Sequence, residues 1–223
     1  MAITTPKIDS IITEFGRRIA KQVTITDGAL ADYDSIMTAQ VYISYINRAM
    51  LKLFNDKWIE VGYDEVKFSE AFPELVKFPS ASIVVDIAST VLDTKILSWT
   101  KASPYQDMFL INDVINTSDS LRVSMQDAIF YGKIVDQAFP HLTPSATYQL
   151  GIFGEGKLSI FYTGTAKTSV NCRIYYIALP IDPSTGGLLT QNGTYDSPFT
   201  EQWNGRIAEI AEKLYINDAQ LNS

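Results

Sequence analysis

Val170-Asn171-Cys172-Arg173-Ile174-Tyr175-Tyr176-Ile177-Ala178-Leu179, closed off by Pro180 and Pro183, is the stretch on which the fold turns. β-branched and aromatic side chains crowd it, and proline stops it because a ring nitrogen cannot donate to a ladder. It predicts a strand over 170–179. Within that strand Cys172 alternates with its neighbours, which makes it a small buried hydrophobe rather than a nucleophile. Upstream, residues 147–153 and 157–162 flank Gly154-Glu155-Gly156, a hairpin loop whose glycines take positive φ without steric cost. From about residue 82 onward the same β-branched and aromatic character is broken by Gly, Pro, Asn, Asp and Ser clusters, the pattern of a sheet-rich region.

Downstream of the strand, residues 182–197 carry Pro183, Gly186, Gly187, Gly193 and Tyr195, with Pro198 and Phe199 just beyond, and read as an irregular loop. Thr200 then caps a final helix in which Trp203, Ile207, Ile210 and Leu214 form one apolar stripe, while Arg206, Glu209, Glu212 and Lys213 take the other faces. At the other end of the chain, Ile8, Ile11, Ile12, Phe15 and Ile19 recur at helical spacing between Pro6 and Ala20, with Thr5 as cap. A polar stretch over 24–34, marked by Asp27-Gly28, separates this helix from a second one carrying Ile36, Ile43, Ile46, Met50, Leu53 and Phe54 and capped by Asp34 or Ser35. Residues 57–79, punctuated by Pro73 and Pro79, show no clear period and read as short turns. The expected class is α+β: the N-terminal helices and the C-terminal helix form a helical layer, and a central antiparallel β-rich region forms a sheet or a sandwich. The expected segments are 1–79, 80–181, 182–199 and 200–223, within one composite unit.

The chain has 223 residues, enough to bury a full core, and one cysteine, so no intrachain disulfide holds it together. Its first residues, Met1-Ala2-Ile3-Thr4-Thr5-Pro6-Lys7, lack the basic flank and apolar run of a secretory signal, and Asp86 interrupts the apolar run around Val84 and Ile87. A soluble chain that does not enter a membrane is expected. With 18 Lys and Arg against 25 Asp and Glu, the net charge of −7 disfavours tight binding to phosphate backbones, which relies on counterion release.

Motifs that could carry chemistry fail on their details. Gly151-Ile152-Phe153-Gly154-Glu155-Gly156-Lys157 has the spacing of a phosphate-cradling loop, but Leu158 stands where a hydroxyl would bind magnesium and Lys157 opens a strand rather than a helix. His141 is the only histidine, which excludes a His-rich zinc site. Asp64 with Glu65, or Asp107 with Asp113, could supply paired carboxylates, yet nothing near them adds a partner pattern, and they read as solvated loop acids. Asn116-Thr117-Ser118 and Asn192-Gly193-Thr194 fit the glycosylation triplet and read as turn residues. No cofactor, metal or catalytic residue is expected.

The order of parts is two helices, a β-rich middle, a Pro/Gly loop and a capped helix. Its most telling segments are Val41-Tyr42-Ile43-Ser44-Tyr45-Ile46-Asn47-Arg48-Ala49-Met50, Arg173-Ile174-Tyr175-Tyr176-Ile177-Ala178-Leu179-Pro180, and Pro198-Phe199-Thr200-Glu201-Gln202-Trp203-Asn204-Gly205-Arg206-Ile207-Ala208-Glu209-Ile210-Ala211. In this arrangement the chain resembles the head-to-tail connector (adaptor or ring) proteins of tailed bacteriophages, podovirus-like and crAss-like. The resemblance implies a virion protein that assembles in the host bacterial cytoplasm into a homo-oligomeric ring, a dodecamer, docked under a portal protein. Other tail or ring proteins attach to it, and DNA passes through without sequence-specific binding. Trp203, Arg206, Ile207, Ile210, Leu214, Tyr195 and Phe199 are the candidate partner-binding residues, the helix either packing on the N-terminal pair or reaching a neighbour. Two other readings stand beside this one: a carbohydrate- or surface-binding β module of a phage tail or capsid, and a carboxylate-based hydrolase.

Overall fold

A computed structural model describes residues 8–22, 39–91, 94–135, 144–145, 147–163, 168–189 and 197–221. The chain divides into two compact units, Met1–Leu75 with Leu179–Ser223, and Val76–Ala178. The second is thus an insertion between the N-terminal helices and the C-terminal helix of the first.

The first unit holds α1 (Ile8–Gln22), α2 (Ala39–Glu60), α3 (Glu65–Ala71) and α5 (Asn204–Leu221). Ile11, Phe15 and Ile19 recur every four residues along α1, and all three are buried. They meet α5, which buries Ile207, Ala208, Ile210 and Ala211 against α1 and α2. The helical layer expected of the N- and C-terminal helices is therefore present. Burying a full apolar side chain is worth about 1.5–3 kcal/mol, so these faces supply most of what holds the unit together. The caps expected at Thr5, Asp34 and Ser35 lie outside the described residues. Thr200 precedes a tight helical turn, Glu201–Trp203, without a side-chain cap bond; its backbone N–H and hydroxyl donate instead to Glu74 Oε1 at 3.3 and 3.4 Å.

The short turns expected over 57–79 are corrected: the segment contains a helix. Beyond Glu60, α2 is closed by a Schellman motif, with Gly62 N–H donating to Ile59 O and Tyr63 N–H to Trp58 O. Gly62 takes a φ of +68°, which glycine adopts at no cost. Asp64 then caps α3, one carboxylate oxygen accepting from the N–H groups of Val66 and Lys67. Phe68 and Phe72, one turn apart, are fully buried and join a chain of rings, edge-on to Phe54 and Phe199 and tilted against Trp203. Within the seven residues of α3 only Phe68 is buried, so no apolar period marks the helix.

The second unit is a closed barrel. Its strands are β1 (Val76–Lys77), β2 (Ile83–Val91), β3 (Thr94–Thr100), β4 (Met108–Asn116), β5 (Leu121–Gln126), β6 (Gln149–Gly154), β7 (Lys157–Tyr162) and β8 (Ser169–Ala178). The order is β1-β8-β2-β3-β7-β6-β5-β4, and β4 returns to β8, closing a ring of seven with β1 beside β2 on the same edge of β8. The expected α+β class holds, and the sheet or sandwich expected from the strand pattern is narrowed to a closed barrel, because β8 is paired along both edges. The expected antiparallel pairing holds for every strand pair but one. β5 and β6 run parallel, which a tight turn cannot connect, and α4 (Tyr131–Val135) lies in the sequence between them. Ile134 there closes over Ile96, Leu150, Ile152 and Phe161.

The strand read from 170–179 is β8, and its alternation holds: Val170, Cys172, Ile174 and Tyr176 point into the barrel, while Asn171, Arg173 and Tyr175 point out. The hairpin is present too, but the turn is Glu155-Gly156 with φ of +52° and +74°, and Gly154 belongs to β6. Leu97, Tyr105, Ile111, Val114, Leu158 and Tyr162 help fill the interior, so the barrel is a packed core and not a pore.

Two substitutions test this construction by urea unfolding. A Cβ on Gly151 would stand 2.7 Å from both Met125 Sδ and Val123 Cγ1, so Gly151→Val should lower stability by about 1–3 kcal/mol, and a neutral result would contradict the interior placement. Buried Asn47 donates to Ile43 O and Leu189 O and accepts from Leu189 N–H at 2.8–3.0 Å. Asn47→Ala should cost about 1–3 kcal/mol and speed proteolysis near Leu189; unchanged proteolysis would show that the segment is held by something else.

Candidate functional site

Helix α5 carries most of the residues expected to meet a partner, and the structure places them on two sides of it. Phe199, Ile207 and Ile210 are buried within the helical unit, and Leu214 is half-buried. Trp203 is half-buried against Phe72, ring centroids 4.8 Å apart, with its indole N–H buried and unpartnered among the described residues. Of the two packings considered for this helix, the one on the N-terminal helices is the one observed. Arg206 is on the exposed side, donating to Glu209 at 2.8 Å while Lys213 donates to the same carboxylate at 2.6 Å. Those two hydrogen bonds hold the Glu209 carboxyl at about 2. Tyr195 lies outside the described residues. So do residues 190–196 of the loop expected over 182–197; its described start is folded on itself, with Asp182 N–H donating to Gly187 O and Gly186 N–H to Asp182 O.

The chemistry-bearing side chains are engaged structurally. Lys157 opens β7, so the glycine-lysine motif presents no helix N-terminus to a phosphate. Cys172 is buried inside the barrel, and burial pushes its thiol up to about 12. Asp64 is a helix cap. Asp113 faces outward and accepts from Arg122 at 2.8 Å, whereas Asp107 is buried, so these two carboxylates do not form a pair. Asn116 is also buried: its Nδ2 donates to Gln149 Oε1 and Asp119 Oδ2, and its Oδ1 accepts from Ser118 N–H, which makes the first glycosylation triplet a turn. The second triplet and His141 lie outside the described residues. Among the described residues, no group of three or more His, Cys, Asp or Glu is placed to hold a metal ion.

A buried polar constellation lies at the end of the barrel where β4 begins. Tyr176 Oη donates to Asp107 Oδ1 at 3.2 Å, Tyr105 stands edge-on to Tyr176, and Lys101 Nζ donates to Met108 O at 3.2 Å. Burial pushes the Asp107 carboxyl up, opposed in part by the Tyr176 hydrogen bond and by the charges of Lys77 and Lys101. Burial and the neighbouring carboxylate push the Tyr176 phenol up as well. Acid and phenol are thereby both held toward their neutral forms, which suits a hydrogen-bonded plug better than an acid-base pair. Asn116 and Gln149 form a corresponding plug at the other end of β4.

Two surfaces escaped the sequence reading. On the helical unit Ile59, Tyr63 and Val66 are among the most exposed large apolar residues, the last two 63% and 68% exposed. On the barrel Phe78 and Val84 are 66% and 52% exposed, and Phe78 stands over Tyr175 at 5.2 Å. Charge is also divided unevenly. Residues 76–178 contain eight basic and eight acidic side chains, so the net −7 belongs entirely to the helical unit. No protein-family model matches this chain, and no characterised protein matches it in sequence. No helix among the described residues is long and apolar enough to cross a membrane.

The sign of the pH dependence at Asp107 follows from its raised pKa. The stability it contributes is fully present below the ordinary carboxylate pKa of 3.8 and is lost as pH rises through the folded value. Asp107→Asn has no such loss. Urea midpoints measured from pH 4 to neutrality should therefore favour the variant increasingly as pH rises, and a constant offset would show that the carboxyl is not desolvated.

Proposed function

We propose that this chain is a non-enzymatic structural subunit of a virion, forming a ring of twelve copies at the junction of portal and tail in a tailed phage. The observation that carries the reading is the pair of exposed apolar surfaces on two different units of one chain. Rings close through heterologous contacts, in which one surface meets a different surface of the neighbour. Exposed apolar patches on a folded chain mark sites of association. The arrangement of helices around a β-rich insertion, which resembles connector proteins, supports the same assignment.

In this reading DNA passes through the opening between copies. The acidic helical unit favours passage over retention, because phosphate contacts require cations. A portal protein above and tail or ring proteins below are the remaining partners, and assembly takes place in the bacterial cytoplasm. The packed barrel interior carries no DNA in this scheme, so the opening is a property of the assembly.

Mass photometry and negative-stain imaging of the purified chain, alone and on portal-bearing particles, test the proposal. Closed rings of about twelve copies, the count implied by the family resemblance, are the expected result. A chain that stays monomeric in both settings, or monomers that bind glycans, would overturn it and favour a carbohydrate-binding module.

A further inference from the structure

We infer that the contact between neighbouring copies is formed by the stripe Tyr63, Val66 and Glu70 of one copy seated on the outer barrel face around Val84 and Arg173 of the next. This rests on the ring reading and names the two surfaces that close it.

The stripe is rigidly presented. Tyr63 follows the Schellman closure of α2, its N–H bound to Trp58 O at 3.0 Å and its ring 6.1 Å from that of Trp58. It takes a φ of +65°, a conformation uncommon for any residue but glycine and asparagine, and there it holds an aromatic ring in solvent. Asp64 caps α3 directly afterwards, which fixes the direction of the helix. Val66 and Glu70 are one turn apart, so they share a face, opposite buried Phe68. Glu70 is exposed and has no ion-pair partner among the described residues, whereas Lys67 beside it is paired with Asp64.

The barrel face has the matching order. Asn171, Arg173 and Tyr175 point outward in succession along β8. Val84 lies beside Asn171 in register, and Phe78 stands on Tyr175. Arg173 therefore sits between two apolar groups, exposed and without an ion-pair partner among the described residues. Val84 and Arg173 are offset by two strand residues, roughly 7 Å along β8, and Val66 and Glu70 by one helical turn, about 5–6 Å. Seating Val66 on Val84 thus brings the one unpaired carboxylate of the stripe to the one unpaired guanidinium of the face. A fork of donors against a carboxylate is directional, so the pair would set the register of the apolar contact. A second copy is the occupant because each half of the match is on this chain, on surfaces that do not resemble each other, and that asymmetry makes a head-to-tail contact.

Four variants test the contact, with far-UV circular dichroism and urea midpoints as the folding control. Val66→Asp and Val84→Asp should each abolish rings, and mixing the two should give dimers and nothing larger, because the pair retains one intact stripe and one intact face. Glu70→Lys and Arg173→Glu should each weaken assembly by about tenfold or more, and the double variant should restore rings. Folded variants that close rings as the wild type does, or a double variant no better than its parents, would overturn this contact and leave the ring reading standing. A wild-type chain that never assembles would overturn both.

Discussion

Strand β8 is hydrogen-bonded along both edges, to β4 on one side and to β2 and β1 on the other, and the shape of the second unit follows from that. A strand paired on one edge leaves a row of unpaired N–H and C=O groups that invites further strands. Pairing β4 back onto β8 removes that edge and forces alternate side chains of every strand into one interior. The interior then has to be filled, and Tyr105, Tyr162, Tyr176 and Cys172 show how tightly this is done. Polar side chains become necessary only at the two ends, where Asp107 with Tyr176 and Asn116 with Gln149 finish the core.

What could be read from residues alone was whatever has a local period. β8 alternates between barrel interior and outer face from Ser169 to Tyr176, and the stripe on α5 repeats at helical spacing, so both elements were legible. α3 was not, because its information lies in Asp64 as a cap and in two phenylalanines whose importance comes from rings elsewhere in the chain. Barrel closure was not legible either. It depends on β4 and β8 pairing across more than fifty intervening residues, and no property of either strand names the other. The hairpin shows the limit at close range: three residues suggested a glycine turn, and the structure uses Glu155 rather than Gly154 at positive φ.

The partner-binding residues expected on α5 illustrate a separate difficulty. An amphipathic stripe states that a face will be covered but not by what, and Ile207 and Ile210 are covered by the unit's own helices. The surfaces that remain exposed, at Tyr63 with Val66 and at Phe78 with Val84, have no period because each joins a residue outside the regular elements to one in the first turn of a helix or at the start of a strand. Their one sequence-level mark was the presence of large apolar residues beside Gly, Pro and charged residues, a pattern that also describes ordinary loops.

Uneven charge bears on how such a chain could assemble without aggregating. A net −7 confined to the helical unit makes two helical units repel, while the neutral barrel carries no such penalty. Barrel on barrel is then the contact electrostatics permits most readily, and the closed hydrogen-bond ring denies it a strand edge to grow from. Helical unit on barrel is permitted as well, and it alone lets unpaired Glu70 meet unpaired Arg173. Low salt should sharpen that preference, because exposed charges are screened beyond about 10 Å at 0.1 M ionic strength. The division of charge between the two units therefore acts as a selection rule: it penalises contact of one helical unit with another, and the proposed Glu70–Arg173 pair then favours the helical unit on the barrel, the head-to-tail geometry from which a ring closes.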